Sequence, residues 1–120
     1  MTTSLLSRVI KATKETEDAA YSGRLNADRM IELLYKFLDK RSGKMFSCIE
    51  EGRWKNRKKS TSFNNGKEAA AFLKKNVQYK RDNYYISAKD FSWHLLICHE
   101  GDLHAYGSRG FVKNFRKLCS

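Results

Sequence analysis

The chain has 120 residues, of which 41% are hydrophobic and 12% aromatic, and a formal net charge of +11 at pH 7. This composition excludes a disordered chain, and the length fits one domain (1–120), with a helical amino-terminal part (1–43) and an α+β part (44–120). Three scattered cysteines argue against a disulfide framework and for a reducing, cytoplasmic location, and no apolar run is long enough to cross a membrane.

Two helices are predicted at the amino terminus. Apolar residues at helical spacing predict the first over 4–20, ending at Ser22-Gly23. Asn26 is a suitable N-cap for the second, over 27–40, which has a wide apolar face and ends before Gly43. These nearly neutral helices are also the predicted surface for a homodimer or a protein partner.

The remaining two thirds of the chain alternates between strand and helix patterns. Strict alternation of apolar residues makes 91–98 the clearest strand. Asn65 and Ser108 are placed to cap the two helices of this part, the first of which ends near Lys75. The predicted strands are 44–50, 58–63, 84–87, 91–98 and 103–106. The predicted fold class is therefore α+β, in the order ααββα-βββα, with antiparallel strands in hairpins that are each followed by a short helix.

Positive charge is concentrated in one segment. Between Arg53 and Arg81 there are ten Lys/Arg residues and a single acid, Glu68, whereas the flanking parts are nearly neutral. A concentrated positive surface most commonly meets nucleic acid. The residues predicted to contact it lie on the first hairpin and on the helix and loop that follow: Arg53, Trp54, Lys55, Arg57, Lys58, Lys59, Lys75, Lys80 and Arg81.

Each residue type in this hairpin has a suitable role. Lysine and arginine supply charge to phosphates, and the hydroxyls of Ser60, Thr61 and Ser62 add neutral hydrogen bonds. Trp54 is suited to stack on an unpaired base, although a core position for Trp54 and a solvated hairpin tip for the cations would explain the same pattern.

The stretch MFSCIEEGRWKNRKKSTSFNNGKEAAAFLKK resembles the strand-strand-helix part of the arm-binding domains of phage integrases and of the DNA-binding domain of ethylene-response factors. The shared features are a basic hairpin, a Ser/Thr-Phe ending, a polar turn and a helix that opens with Glu68-Ala69-Ala70. The resemblance implies a sheet in the DNA major groove, contacted through Arg53, Trp54, Lys55, Arg57 and Lys59. Those families have a strand before the hairpin, where residues 27–40 of this chain read as a helix. The resemblance covers about 30 of the 120 residues.

Enzymatic alternatives rest on the histidines. A small basic ribonuclease of the toxin type needs a general acid, a general base and a cation. The chain offers residues of those types, which are Glu50 or Glu51, Arg57, His94, His99 and His104. His94, Cys98 and His104 are possible metal ligands if they share one face of the last hairpin, but no tight spacing motif supports them.

The sequence therefore predicts a non-catalytic nucleic-acid-binding protein with no catalytic residue, metal or cofactor, and with DNA slightly favoured over RNA. The alternatives are the small ribonuclease and a protein-binding module that docks on an acidic partner. A small, proline-free chain rich in lysine and asparagine would suit a phage or mobile element.

Overall fold

Four helices and one six-stranded antiparallel sheet make up the described part of the chain, which confirms the α+β class. The computed structural model describes residues 5–16, 18–50, 58–76, 80–81 and 83–119. The elements in chain order are α1 (Leu5–Glu15), β1 (Asp18–Tyr21), α2 (Ala27–Asp39), β2 (Met45–Glu50), β3 (Lys58–Phe63), α3 (Gly66–Asn76), β4 (Asn83–Ala88), β5 (His94–Ile97), β6 (Leu103–Gly107) and α4 (Arg109–Cys119).

The predicted N-caps are in place. The side-chain oxygens of Asn26, Asn65 and Ser108 each accept a hydrogen bond from the backbone N–H three residues later, at 2.8, 3.0 and 3.2 Å respectively. Each cap gives a partner to one of the amides that the first turn of a helix leaves without an intrahelical acceptor. The starts of α2, α3 and α4 were therefore correctly predicted.

The predicted first helix, 4–20, is wrong in its last five residues. The helix ends at Glu15, and Asp18–Tyr21 forms an edge strand that pairs with β6. Alanine favours a helix only weakly over other residues, and tertiary pairing overrides that preference. Here the pairing satisfies the backbone of β1 and buries Ala20 in the core, where it is 6% exposed.

The strand predicted over 91–98 is shorter than expected and begins at His94. Phe91 has a φ of 63°, in the left-handed region, and its N–H bonds back to the carbonyl of Ala88 at 3.0 Å. This turn joins β4 to β5. Phe91 and Trp93 thus pack beside the turn, against Phe46 and Phe111 respectively, instead of continuing the alternation of the strand.

The strands form one continuous sheet and not separate hairpins. β2 pairs with β3 as predicted, but it also pairs along its whole length with β4. The sheet order is β1-β6-β5-β4-β2-β3. Pairing between β1 and β6, at opposite ends of the chain, leaves no signal in local sequence patterns, which explains the difference.

The sheet is covered differently on its two faces. α2, α3 and α4 pack against one face and form the main core, which includes Leu33, Leu38 and Phe115. α1 packs against the other face over β2, β3 and β4, where Val9 meets Phe46, Cys48 and Tyr85. On that same face, Tyr85 is followed across the sheet by its directly paired neighbours on the next three strands, which are Leu96, His104 and Tyr21. Tyr21 is 55% exposed.

Candidate nucleic-acid interface

A cleft of about 490 Å³ lies at one end of β2, β3 and β4. Because β2 runs antiparallel to both neighbours, its first residue, Met45, pairs with the last residues of β3 and β4, which are Phe63 and Ala88. The backbone N–H of Lys89 donates to the carbonyl of Lys44 at 3.1 Å and fixes this meeting point. We call this site the cationic cleft and define it by Arg8, Lys44, Ser62, Asn64, Lys89 and Phe91.

The floor of the cationic cleft is apolar and its rim is polar. Phe46 and Phe63 are buried beneath it, and Phe91 packs edge-on against Phe46 with ring centroids 5.5 Å apart. Above them, the Arg8 guanidinium lies 4.8 Å from the centre of the Phe91 ring, in cation–π geometry. This contact positions a charged group that stays exposed to water.

The electrostatics of the cleft favour an anion. Arg8, Lys44 and Lys89 are all exposed, and no acidic side chain is among the described residues that line the cleft. Like charges held close together repel unless an anion is between them, so the field at the cleft raises the local concentration of anionic ligands. The side chains of Ser62 and Asn64 add neutral hydrogen-bonding groups.

An acidic residue lies next to the cleft but is engaged in the turn. The Asp90 carboxylate accepts a hydrogen bond from the backbone N–H of Ser92 at 3.0 Å. Hydrogen bonds from Ser92 lower the pKa of Asp90, so this group carries its charge at neutral pH. Asp90 lines a second, shallower groove together with Lys44 and Lys89, which the two sites share.

The residues predicted to bind nucleic acid fall into three groups. Arg53, Trp54, Lys55 and Arg57 lie outside the described residues. Lys58 and Lys59 begin β3, and only their backbone is described. The remaining three are exposed, in α3 or in the turn before β4: Lys75, Lys80 and Arg81. The cationic cleft lies at the Phe63 end of β3, and the other end of this strand is Lys58.

Sequence reasoning missed the three cations of the cleft. Arg8, Lys44 and Lys89 are isolated in the sequence and belong to three different parts of the chain. Lys44 begins the predicted strand 44–50 and Lys89 lies between the predicted strands 84–87 and 91–98, which was the available signal. Only the pairing of β2 with β4 brings them together, however, and no local pattern encodes that pairing.

Several other cations have structural contacts. The Arg41 guanidinium lies over the rings of Phe37 and Phe111, at 4.7 and 4.8 Å, and burial lowers its pKa. Arg116 donates to the carbonyl of Ala19 at 3.1 Å and ties α4 to β1. Total charge therefore overstates how many cations face a ligand.

The three histidines have different surroundings. His94 is 1% exposed, its Nδ1 lies 2.9 Å from the Ser87 hydroxyl, and burial lowers its pKa. His99 is exposed and contacts Asn83, whereas His104 lies beside Asp102. The three histidines thus have separate partners, and the other ribonuclease candidates, Glu51, Arg57 and the side chain of Glu50, lie outside what the structure describes. The metal set considered from the sequence also changes, because Cys98 and His104 come together with Asp102 and not with His94.

Comparison of the chain with protein-family models, with curated proteins and with solved structures gave no match. The resemblance to the arm-binding domains thus stays a prediction. Within the described ranges, no helix is long and apolar enough to span a bilayer.

Proposed function

We propose that this protein binds nucleic acid without cleaving it, and that the sugar-phosphate backbone lies in the cationic cleft. The observation that carries the proposal is the convergence of Arg8, Lys44 and Lys89 at a cleft with no acidic residue on its described lining. The predicted DNA-facing hairpin is then a second contact. DNA remains slightly favoured over RNA, and the three free cysteines support a reducing, cytoplasmic location.

The dimensions of the sheet suit a bound strand that reaches both contacts. Six residues of β3 separate the cleft from the start of the basic hairpin, and a strand of that length spans about 17–20 Å. At about 3.4 Å per nucleotide along one strand, this distance corresponds to five or six phosphates. Exposed Ser60 and Ser62 lie along this edge, where they provide neutral hydrogen bonds between the two charged ends.

A salt titration with matched charge variants tests the proposal. The triple variant R8A/K44A/K89A removes the cleft cations, and K36A/R109A/K113A removes one arginine and two lysines from α2 and α4, which pack on the opposite face of the sheet. The affinity for duplex DNA, single-stranded DNA and RNA is measured against salt concentration. We expect the first variant to reduce the slope of log K against log[salt] on duplex DNA by about 2.7, because each phosphate that the protein neutralises contributes about 0.9 to that slope.

The control variant should retain most of the wild-type slope, although its net charge is the same as that of the cleft variant. Equal reductions of the salt slope in both variants would contradict the cleft as the binding site. Binding would then depend only on the overall positive charge of the protein. If the wild type binds no nucleic acid at about 50 mM salt, where even non-specific attraction is measurable, the proposal fails as a whole. Cleavage of the bound strand would favour the ribonuclease instead.

A further inference from the structure

The turn between β5 and β6 brings a thiol, a carboxylate and an imidazole together. One ligand atom from each of Cys98, Asp102 and His104 lies within 4.8 Å of the other two. We call these three residues the Cys–Asp–His cluster. It lies on the α1 side of the sheet, over β5 and β6, and is distinct from the residues that define the cationic cleft.

The backbone holds the cluster in place. The N–H of Cys98 donates to the carbonyl of Asp102 at 2.9 Å, and the N–H of Gly101 donates to the carbonyl of Cys98 at 3.0 Å. Gly101 has a φ of 89°, which only glycine adopts without strain. Its carbonyl accepts from Leu25 at 2.9 Å, so the segment before α2 fastens the turn from outside.

Asp102 is the unusual member of the cluster. It is 2% exposed, and its Oδ1 has no hydrogen-bond partner in the described part of the chain, although His104 Nε2 lies 3.3 Å away. Tyr21 and Cys98 hydrogen-bond to this carboxylate, but its Oδ1 atom has no hydrogen bond from a described residue. A buried carboxylate oxygen left in this way is costly, and buried carboxylates are usually paired or coordinate a metal. The Oδ1 atom thus points to a missing cation.

We propose that the Cys–Asp–His cluster binds a divalent zinc-type ion. In a tetrahedral site, nitrogen and oxygen ligands lie about 2.0–2.1 Å from zinc, which places them about 3.3 Å from each other. The separation between Asp102 Oδ1 and His104 Nε2 is 3.3 Å. The Cys98 sulfur lies within 4.8 Å of one ligand atom of each of the other two residues, so a side-chain movement would bring it to bonding distance.

The ligand types select the metal. Magnesium and calcium prefer oxygen ligands, whereas a thiolate with an imidazole and a carboxylate is suited to zinc and similar soft or borderline ions. Three protein ligands leave a fourth position for a water molecule, and the side chain of His104 is 29% exposed to solvent.

Tyr21 supplies an outer contact to the site. Its ring lies 4.9 Å from the His104 ring, and its hydroxyl hydrogen-bonds to the Asp102 carboxylate. Outer partners of this kind orient metal ligands and raise affinity. β1 therefore joins the site, although its contribution is positioning and not coordination.

Titration of the metal-free full chain with Co²⁺ tests this inference, because cobalt occupies zinc sites and a thiolate ligand produces a charge-transfer band in the near ultraviolet. We expect the wild type to develop that band and to lose it when Zn²⁺ is added. C98S should remove the band, and D102N should weaken cobalt binding by more than about 100-fold, the upper end of what changes to outer contacts cost. C119S is the matched control, because Cys119 lies in α4 outside the cluster.

The inference is overturned if the wild type gives no thiolate–cobalt band, if C98S retains it, or if C119S loses it as well. Circular dichroism establishes whether D102N folds, and H104Q gives the same readout at a less buried position. The cationic-cleft variant R8A/K44A/K89A should bind cobalt like the wild type. The two sites can therefore fail separately.

Discussion

The cationic cleft lies at one end of β2, β3 and β4, whereas the Cys–Asp–His cluster lies over β5 and β6, and the two sites attract ligands in different ways. In the cleft, three cations are exposed to water, and no acid is present among the described lining residues. In the cluster, a carboxylate that is 2% exposed lies beside an imidazole and a thiol. Charges in water act over distance and are screened by salt, whereas coordination acts at about 2 Å and depends on ligand geometry.

The two sites also differ in how they are assembled. The cationic cleft takes residues from α1 and from the ends of β2, β3 and β4. The cluster takes all three of its residues from one seven-residue stretch, 98–104. Damage to packing between elements should thus affect the cleft far more than the cluster.

Substitution of Gly66 should give the largest decrease in the free energy of unfolding, and it should affect the cleft more than the cluster. A Cβ at Gly66, the first residue of α3, would overlap the carbonyl oxygen of Leu38 and lie 2.8 Å from that of Arg41. Because both obstacles are backbone atoms, α3 must move, and we expect G66A to lower the free energy of unfolding by about 3 kcal/mol. Urea denaturation measures this decrease, and nucleic-acid affinity should fall while cobalt binding at the cluster is retained in the folded fraction.

Gly110 provides the matched control. It lies in the first turn of α4, and a Cβ there would meet nothing within 4 Å. G110A should raise the free energy of unfolding by about 0.4–1 kcal/mol, because alanine restricts the unfolded chain. Equal behaviour of G66A and G110A would show that α3 does not pack closely on the end of α2.

Substitution of Phe91 should change the free energy of unfolding by a smaller amount. The change tests whether the backbone is strained at this residue of the cleft. A left-handed conformation costs a residue with a Cβ about 1–2 kcal/mol, and Phe91 has a φ of 63°. F91G should therefore be more stable than F91A by about 0.5–1 kcal/mol, after the greater chain entropy of glycine is subtracted. Thermal or urea unfolding of the two variants measures this difference.

Ala71, exposed in α3, is the reference position for that comparison. At this position alanine should be the more stable residue and glycine the less stable one. A71G is expected to lower the free energy of unfolding by about 1 kcal/mol, because residue 71 has an ordinary helical conformation. If F91G is the less stable variant at position 91 as well, the turn is not strained.

His94 lies in β5, between β4, which ends at the cleft, and β6, which carries His104 of the cluster, and its substitution should have an effect confined to acidic pH. Burial lowers the pKa of His94 from its ordinary value of 6.5. The unfolded chain therefore binds the proton more readily, and stability falls as the pH drops below about 6.5 toward the lower folded pKa. We expect H94Q to show a shallower decrease in stability in urea unfolding between pH 7.5 and pH 5.

H99Q, which removes an exposed histidine, serves as the control and should keep the wild-type pH dependence. A wild-type slope that survives in H94Q would assign the acid sensitivity to other groups. Because His94 contacts the Ser87 hydroxyl and packs near Phe91, its protonation should disturb the cleft side of the sheet first.

Some elements were predictable because their signals are local. Four elements lie within about one residue of their predicted bounds, namely α2, β3, α3 and α4. Their signals are capping residues and the spacing of apolar residues, which act over a few positions. β1 and the start of β5 were not predictable in this way. The first depends on pairing with β6, and the second depends on the left-handed turn at Phe91.

The sequence by itself determined the α+β class, the helix starts and the concentration of charge between Arg53 and Arg81. Only the tertiary structure decided that Arg8, Lys44 and Lys89 share a cleft, and that Asp102 is buried beside Cys98 and His104. Periodicity and capping depend on neighbours a few residues apart, whereas a cleft and a buried carboxylate depend on which strands pair. That pairing joins strands such as β1 and β6, which are more than eighty residues apart.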